Sequence, residues 1–205
     1  ILREESDKYL NEQTYSGIRF LDKYFVFQSE RSGYNHLYLY TLGGEFVRQI
    51  TKGDFEVKHF YGWDKKKDEF YYSSNEGSPL REMIYKVNGK NKKICLSNNE
   101  GRNQAVFSKT LKYFINTHLS INTPHKVTTN NNSGKVLSTL IDNKELIDRL
   151  AQFNMPTKEF FTFETTDGVK LNGWMIKPHN FDAGKKDPVI QFQYSGPYSQ
   201  QVTDN

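Results

Sequence analysis

Few residues in this chain have the type and spacing that chemistry needs. The single cysteine, Cys95, sits inside Ile94-Cys95-Leu96. A small buried hydrophobe is the simplest reading, and no disulfide can form within the chain. The five histidines, His36, His59, His118, His125 and His179, show no metal-ligand spacing with Cys or acids, so no metal and no other cofactor is expected. Glu4 and Glu5 are adjacent; on an extended chain they point to opposite sides and make no acid–base pair. No Gly-x-Ser-x-Gly nucleophile elbow occurs in residues 1–205. Tyr194 ends an apolar run just before Ser195-Gly196-Pro197. Its phenol can donate one hydrogen bond, but by itself the residue reads as a packed tyrosine at a strand end.

The elements that would position such residues are mostly strands. Aromatics make up 15% of the chain against 36% hydrophobic residues in all, a balance that suits pleated, half-buried strands. Three segments look alike. The first holds Tyr24–Phe27, His36–Tyr40 and Phe46–Ile50; the second Phe70–Tyr72, Met83–Val87 and Lys93–Leu96; the third Tyr113–Ile115, His125–Thr128 and Val136–Leu140. Glu56–Trp63 and Gln104–Ser108 fit a further strand each. Gly44, Gly89 and Gly134 fall 45 residues apart, each in a hairpin turn, where positive φ favours glycine. Ser32-Gly33 and Glu76-Gly77 follow the first strand of two units. Four strands per unit at that period describe a β-propeller blade. A β-sandwich with evenly spaced hairpins is the other fold the repeat allows. Three blades cannot close a ring, so further blades are expected before Ile1.

The pattern changes after residue 141. Asp142 with Glu145 three residues on makes a capping box, and Leu146, Ile147, Leu150 and Phe153 follow at helical spacing. One linking helix is predicted over 142–153, stopped by Pro156. Glu159–Glu164 and Val169–Lys177 flank Asp167-Gly168, a strong hairpin signal. Pro188–Tyr194 is predicted as a further strand, ended by Gly196-Pro197.

Composition narrows the partners. The net charge is +4. The basic clusters, Lys65–Lys67, Lys90 with Lys92-Lys93, and Lys185-Lys186, each sit beside turn residues. They read as solvated hairpin tips, and nucleic-acid binding is not expected, because phosphate tracking needs basic groups on one continuous surface. No apolar run reaches the ~18 residues of a membrane span. The first residues do not form a signal peptide and read as the middle of something longer.

Several stretches resemble a known family. Phe163-Glu164-Thr165-Thr166-Asp167-Gly168 and Gly173-Trp174-Met175-Ile176-Lys177-Pro178 resemble the entry hairpin of prolyl oligopeptidase-type hydrolase domains. Tyr194-Ser195-Gly196-Pro197-Tyr198-Ser199-Gln200 resembles the Tyr-x-Gly-Pro-x-x-Gln loop of the dipeptidyl peptidase IV branch. Residues 142–156 look like its linker, and Ser29–Tyr38 with Ile50–Gly53 look like its late propeller blades.

The resemblance implies a mainly β fold in three parts. Residues 1–141 would be about three C-terminal propeller blades, 142–156 a linker helix, and 157–205 the N-terminal fragment of an α/β-hydrolase catalytic domain. It implies a serine exopeptidase releasing N-terminal dipeptides with Pro or Ala second, by acyl transfer through a Ser–Asp–His triad. It assigns one catalytic role within the chain: Tyr194 would donate its hydroxyl to the oxyanion of the tetrahedral intermediate. Tyr9 is a second aromatic for the substrate pocket, but Tyr9-Leu10-Asn11-Glu12 matches poorly, and a packed surface tyrosine is the simpler reading.

In the family the triad comes later in the chain and the glutamates gripping the substrate's amino end come earlier. The segment alone is therefore expected to be inactive. The partner implied is a peptide with a free N-terminus, the parent a homodimer, and its location periplasmic or extracellular. A prolyl tripeptidyl peptidase and a non-enzymatic propeller-based binding module are the competing readings.

Overall fold

The computed structural model describes residues 2–7, 9–10, 17–153, 155–196 and 198–205. Among them fourteen strands and one helix follow in chain order. β1 (Arg19–Leu21), β2 (Tyr24–Ser29), β3 (His36–Thr41) and β4 (Phe46–Gln49) form sheet 1. β5 (Val57–Asp64), β6 (Glu69–Ser74), β7 (Met83–Asn88) and β8 (Lys93–Cys95) form sheet 2. β9 (Arg102–Phe107), β10 (Tyr113–Ser120), β11 (Thr123–Asn131) and β12 (Val136–Ile141) form sheet 3. Each of these three sheets is a four-stranded antiparallel meander, the form of a propeller blade. The repeat read from the sequence thus holds. β1 is the one blade strand it missed.

Packing explains the aromatic content. In β2 and β3 neighbouring residues are buried on both faces: Phe25, Val26, Phe27, Leu37, Tyr38 and Leu39 are all below 5% exposed. Side chains alternate across a strand, so each sheet offers two sets. Val26, Leu37 and Leu39 join Phe60, Phe70, Tyr72 and Val87 in a core between sheets 1 and 2. Tyr71, Ile84 and Leu96, from the other side of sheet 2, meet Phe114 of sheet 3. Phe25, Phe27, Tyr38 and Tyr40 pack on the outer face of sheet 1, with Leu2 against them. The Phe25 and Tyr40 rings stack at 5.3 Å as a cross-strand pair. Each fully buried Val, Leu, Ile or Phe is worth roughly 1.5–3 kcal/mol, so these clusters between blades add to the pairing within each sheet.

The turn glycines need correcting. The hydrogen bonds that close the third hairpin of each blade run from Gly44 to Thr41, Asn91 to Asn88 and Gly134 to Asn131. Gly44 and Gly134 lie at φ 90 and 87, and Asn91 at φ 60. The equivalent positions are thus 44, 91 and 134, spaced 47 and 43 residues, not 45 and 45. Gly89 is not left-handed. It is held to glycine by space, because a Cβ there would stand 1.9 Å from Asp68 Oδ2. That carboxylate is committed elsewhere: Oδ1 accepts from Arg48 at 2.6 Å and from Trp63 Nε1 at 3.0 Å, tying sheet 1 to sheet 2. Lys65–Lys67, Lys90 and Lys92 occupy hairpin turns as expected, but Lys93 begins β8 and pairs with Glu76, and Lys185-Lys186 lie where no strand follows among the described residues.

The linking helix, α1 (Lys144–Leu150), is shorter than predicted. Its N-cap is Asn143 at φ 53, with no side-chain capping bond, so the capping box does not form. Asp142 instead accepts the Lys144 N–H at 3.1 Å, an Asx turn that uses the oxygen a cap would need. None of the helix residues is buried.

β13 (Lys158–Glu164) and β14 (Lys170–Ile176) form the expected hairpin around Gly168, at φ 78. The strand predicted over 188–194 does not form. A strand needs a neighbour to bond, and among the described residues no segment pairs with this one. Its apolar side chains stand in solvent, with Val189 87% and Ile190 98% exposed.

Candidate functional site

Tyr194 lies in this unpaired segment, 60% exposed. Its ring folds back over the glycine two residues on. A Cβ on Gly196 would meet the phenol oxygen at 2.5 Å and Cζ at 2.7 Å. Gly196 is therefore the residue that lets the ring take this position. Pro197, the fourth residue of the motif, lies outside the described residues. Tyr198 turns the chain at φ 62, and its hydroxyl donates to Glu30 Oε2 at 3.3 Å. Glu30 sits in the turn between β2 and β3; burial pushes its carboxyl above the usual range, and the Tyr198 hydrogen bond opposes that shift. The Tyr9 ring lies 6.0 Å from that of Tyr198. The weaker aromatic candidate is thus brought beside the loop that carries the stronger one.

The N-terminal segment is bonded to the same sheet. Glu4 accepts from Ser29 Oγ at 2.7 Å and from Arg31 Nε at 3.1 Å and Nη2 at 2.5 Å. The Arg31 guanidinium lies 4.7 Å from the centre of the Tyr38 ring. Glu5 pairs with Arg3. The two adjacent carboxylates therefore have separate cationic partners and do not act as a pair.

A second attachment follows the loop. Asp204 is 5% exposed. Its Oδ2 accepts the Gly101 N–H at 2.9 Å and Arg81 Nε at 3.2 Å, and its Oδ1 accepts the Ile121 N–H at 3.2 Å. Its own N–H donates to Leu80 O at 2.8 Å. These donors come from the β6–β7 connection of sheet 2, the approach to β9, and the β10–β11 turn. Arg81 is itself fixed by donating Nη1 to Asn99 O at 3.0 Å. Neither Asp204 nor Glu30 was singled out as functional from sequence. Glu30 at least stood inside the blade stretch Ser29–Tyr38; Asp204 carries no local signal.

The other reactive side chains have structural surroundings. His36 Nε2 donates to Gly53 O at 3.0 Å, and Nδ1 accepts from Thr51 Oγ1 at 3.1 Å. Burial holds its pKa below the ordinary 6.5. Cys95, expected to be buried, is only half-buried, against the core between sheets 1 and 2. A cavity of about 300 Å³ between sheets 2 and 3 is lined by Cys95, Asn116, His118, Lys126, Thr128 and Asn130 among others. Among the described residues no group of three His, Cys, Asp or Glu could hold a metal ion, and no helix is long and apolar enough to cross a membrane.

The arrangement places a phenol donor on a loop attached by hydrogen bonds to all three blades. Comparison with known proteins gives it a context. The family described as "Dipeptidyl peptidase IV (DPP IV) N-terminal region" matches residues 1–125. Dipeptidyl peptidase 4 of Trichophyton equinum is 31% identical over 185 residues, 88% of this chain and 24% of that protein. Dipeptidyl peptidase 4 of Trichophyton rubrum is 30% identical over the same shares. The crystal structure of Porphyromonas gingivalis dipeptidyl peptidase 4 superposes with a TM-score of 0.92 at 38% identity, covering 97% of this chain and 28% of that one. The chain spans about a quarter of the length of the curated relatives it matches. With three blades in register and a match over more than half its residues, the chain belongs to the dipeptidyl peptidase IV family.

Proposed function

We propose that the chain is the junction between propeller and catalytic domain in a serine exopeptidase that releases N-terminal dipeptides, with Pro or Ala second. Residues 1–141 are the late blades, 142–156 the linker and 157–205 the start of an α/β-hydrolase domain. Tyr194 donates to the oxyanion of the tetrahedral intermediate. The observation that carries this reading is the loop itself. Tyr194 shares it with Gly196, whose missing side chain makes room for the ring, and with Tyr198, which bonds the propeller turn at Glu30. In the full-length enzyme a donor at this position acts on charge that develops only in the transition state.

The nucleophile, aspartate and histidine lie outside this segment, which has no Gly-x-Ser-x-Gly, and the segment alone does not hydrolyse peptides. The substrate is a peptide with a free N-terminus. The parent enzyme is a homodimer working in the periplasm or outside the cell.

The test is hydrolysis of dipeptidyl- and tripeptidyl-anilides by the full-length protein, with and without a fluorophosphonate that labels active serines. Cleavage of Ala-Pro-anilide, abolished by labelling, is the expected result. Cleavage of tripeptidyl-anilides alone would make it a tripeptidyl peptidase. Absence of both hydrolysis and labelling would leave a binding module. In the active enzyme Tyr194→Phe lowers kcat by about 100- to 1,000-fold, the loss of one oxyanion donor. A kcat near wild type would remove Tyr194 from the mechanism.

A further inference from the structure

We infer that Asp204 is a positioning residue that sets the place of Tyr194 by locking the segment after it to sheets 2 and 3. The inference rests on the role proposed for Tyr194. Among the described residues, 188–196 form no ladder with any strand, so their placement depends on bonds made by flanking residues. On the C-terminal side the described residues make two such ties. Tyr198, itself exposed, reaches Glu30 of sheet 1 through one hydrogen bond of 3.3 Å. Asp204 makes the stronger one, with four hydrogen bonds to four residues. Between them the chain is braced internally: Ser199 N–H bonds Gly196 O at 3.2 Å, Gln201 Nε2 bonds Ser199 Oγ at 2.6 Å, and Gln200 Nε2 bonds Val202 O at 2.9 Å. A shift at residue 204 is therefore passed towards residue 196, against which the Tyr194 ring rests.

The chemistry at position 204 requires a carboxylate. Both oxygens face donors only: Gly101 N–H and Arg81 on one, Ile121 N–H on the other. An ionised Asp accepts on both oxygens. Asparagine would turn its NH2 towards one of these donors and leave a buried N–H unpaired. The site is also closed against substitution from the propeller side, because Gly101 has no room for a side chain. Buried carboxylates are costly unless fully bonded; here each oxygen has a partner, and Arg81 supplies the counter-charge.

The experiment is a double-mutant cycle in the full-length protein, with kcat and KM measured on Ala-Pro-anilide. Wild type, Asp204→Asn, Tyr194→Phe and the double variant are compared. Misplacing a reacting group by about 1 Å can cost on the order of 100-fold. Asp204→Asn is therefore expected to lower kcat by about 10- to 100-fold, with KM within about twofold. In the Tyr194→Phe background the same change is expected to lower kcat by less than about twofold, since the group it positions is already gone. Arg81→Met removes one donor from the outer side and is expected to give a smaller effect with the same dependence on Tyr194. It replaces Asp204→Asn if that variant does not fold.

A wild-type kcat in Asp204→Asn overturns the inference. So do effects that multiply independently in the double variant, which would make Asp204 an anchor of general stability. If Tyr194→Phe itself keeps normal kcat, the oxyanion reading fails first and the inference falls with it. The single variants therefore tell the two failures apart.

Discussion

The carboxylate of Asp204 accepts the backbone N–H of Gly101 at 2.9 Å, and Gly101 has no side chain because Leu119 O stands 2.0 Å from where its Cβ would be. The bond joins two residues 103 positions apart. It forms because the chain before β9 takes a left-handed turn, φ 63, that turns an N–H towards the incoming segment.

Gly101→Ala should accordingly be among the most damaging small substitutions in the blades. Left-handed backbone costs an L-residue roughly 1–2 kcal/mol, and the contact with a backbone carbonyl adds to it. The expected outcome is a loss of at least about 2 kcal/mol, read from the urea midpoint of the full-length protein. A loss under about 0.5 kcal/mol would show that the turn relaxes freely.

Gly196→Ala separates activity from stability. The new methyl group would meet the Tyr194 ring at 2.5–2.8 Å, and the ring, exposed to solvent, can swing away. The unfolding midpoint should stay within the usual range for surface changes, about 0.5 kcal/mol. On the oxyanion role proposed for Tyr194, kcat of the full-length protein should fall at least about tenfold, since geometry near a reacting group is steeply limiting. Unchanged kcat would mean that the ring's position over residue 196 does not matter.

Asn91 tests the corrected alignment of the hairpins. It holds the left-handed position that glycine fills at 44 and 134. Asn91→Gly is expected to be neutral within about 0.5 kcal/mol, whereas Asn91→Ala costs about 1 kcal/mol. The opposite substitution at position 89 reverses the logic. Gly89→Asn is strongly destabilising, because its Cβ would collide with Asp68. Thermal midpoints of the three variants decide it.

Acid should loosen the blades through their buried histidines. Burial depresses the pKa of His36 below 6.5, against the hydrogen bond to Gly53 O, which raises it. His118 is depressed by burial too, with Asp204 and Glu100 opposing and Lys126 adding to the shift. A folded pKa below the unfolded one means that the unfolded chain takes up the proton first. The stability these neutral rings allow is complete above pH 6.5 and is lost as pH falls from there through the folded values. Comparing unfolding midpoints across pH 5–8 for wild type and His36→Gln checks this. The variant should be weaker throughout, having lost a buried network, but should show a shallower decline below pH 6.5. Parallel curves would refute the assignment to His36.

Much of this protein was legible in short stretches of sequence. Alternating aromatics and β-branched residues between turn formers located eleven of the twelve blade strands, and Asp167-Gly168 located the β13–β14 hairpin. Such features are decided within a few residues by side-chain alternation and by turn backbone, so a local reading suffices. The same reading failed where the outcome depends on a partner. The run 188–194 has a strand's pattern, but hydrogen-bonded pairing needs a second strand beside it. The 45-residue glycine spacing was real in the sequence, yet Gly89 is required by the neighbouring Asp68 carboxylate and not by the turn.

The surroundings of the candidate site belong wholly to this second class. Tyr194 and Gly196 could be named from their motif. Glu30 meets Tyr198 across 168 residues, and Asp204 meets its side-chain and backbone donors across 83 to 123. An isolated Asp or Glu in a polar stretch carries no sign of which donors it will accept from. The sequence by itself determined the blades and the loop; the tertiary structure alone decided what holds the loop. Burying a carboxylate requires donors from several segments at once, and only the packed fold brings them to one point.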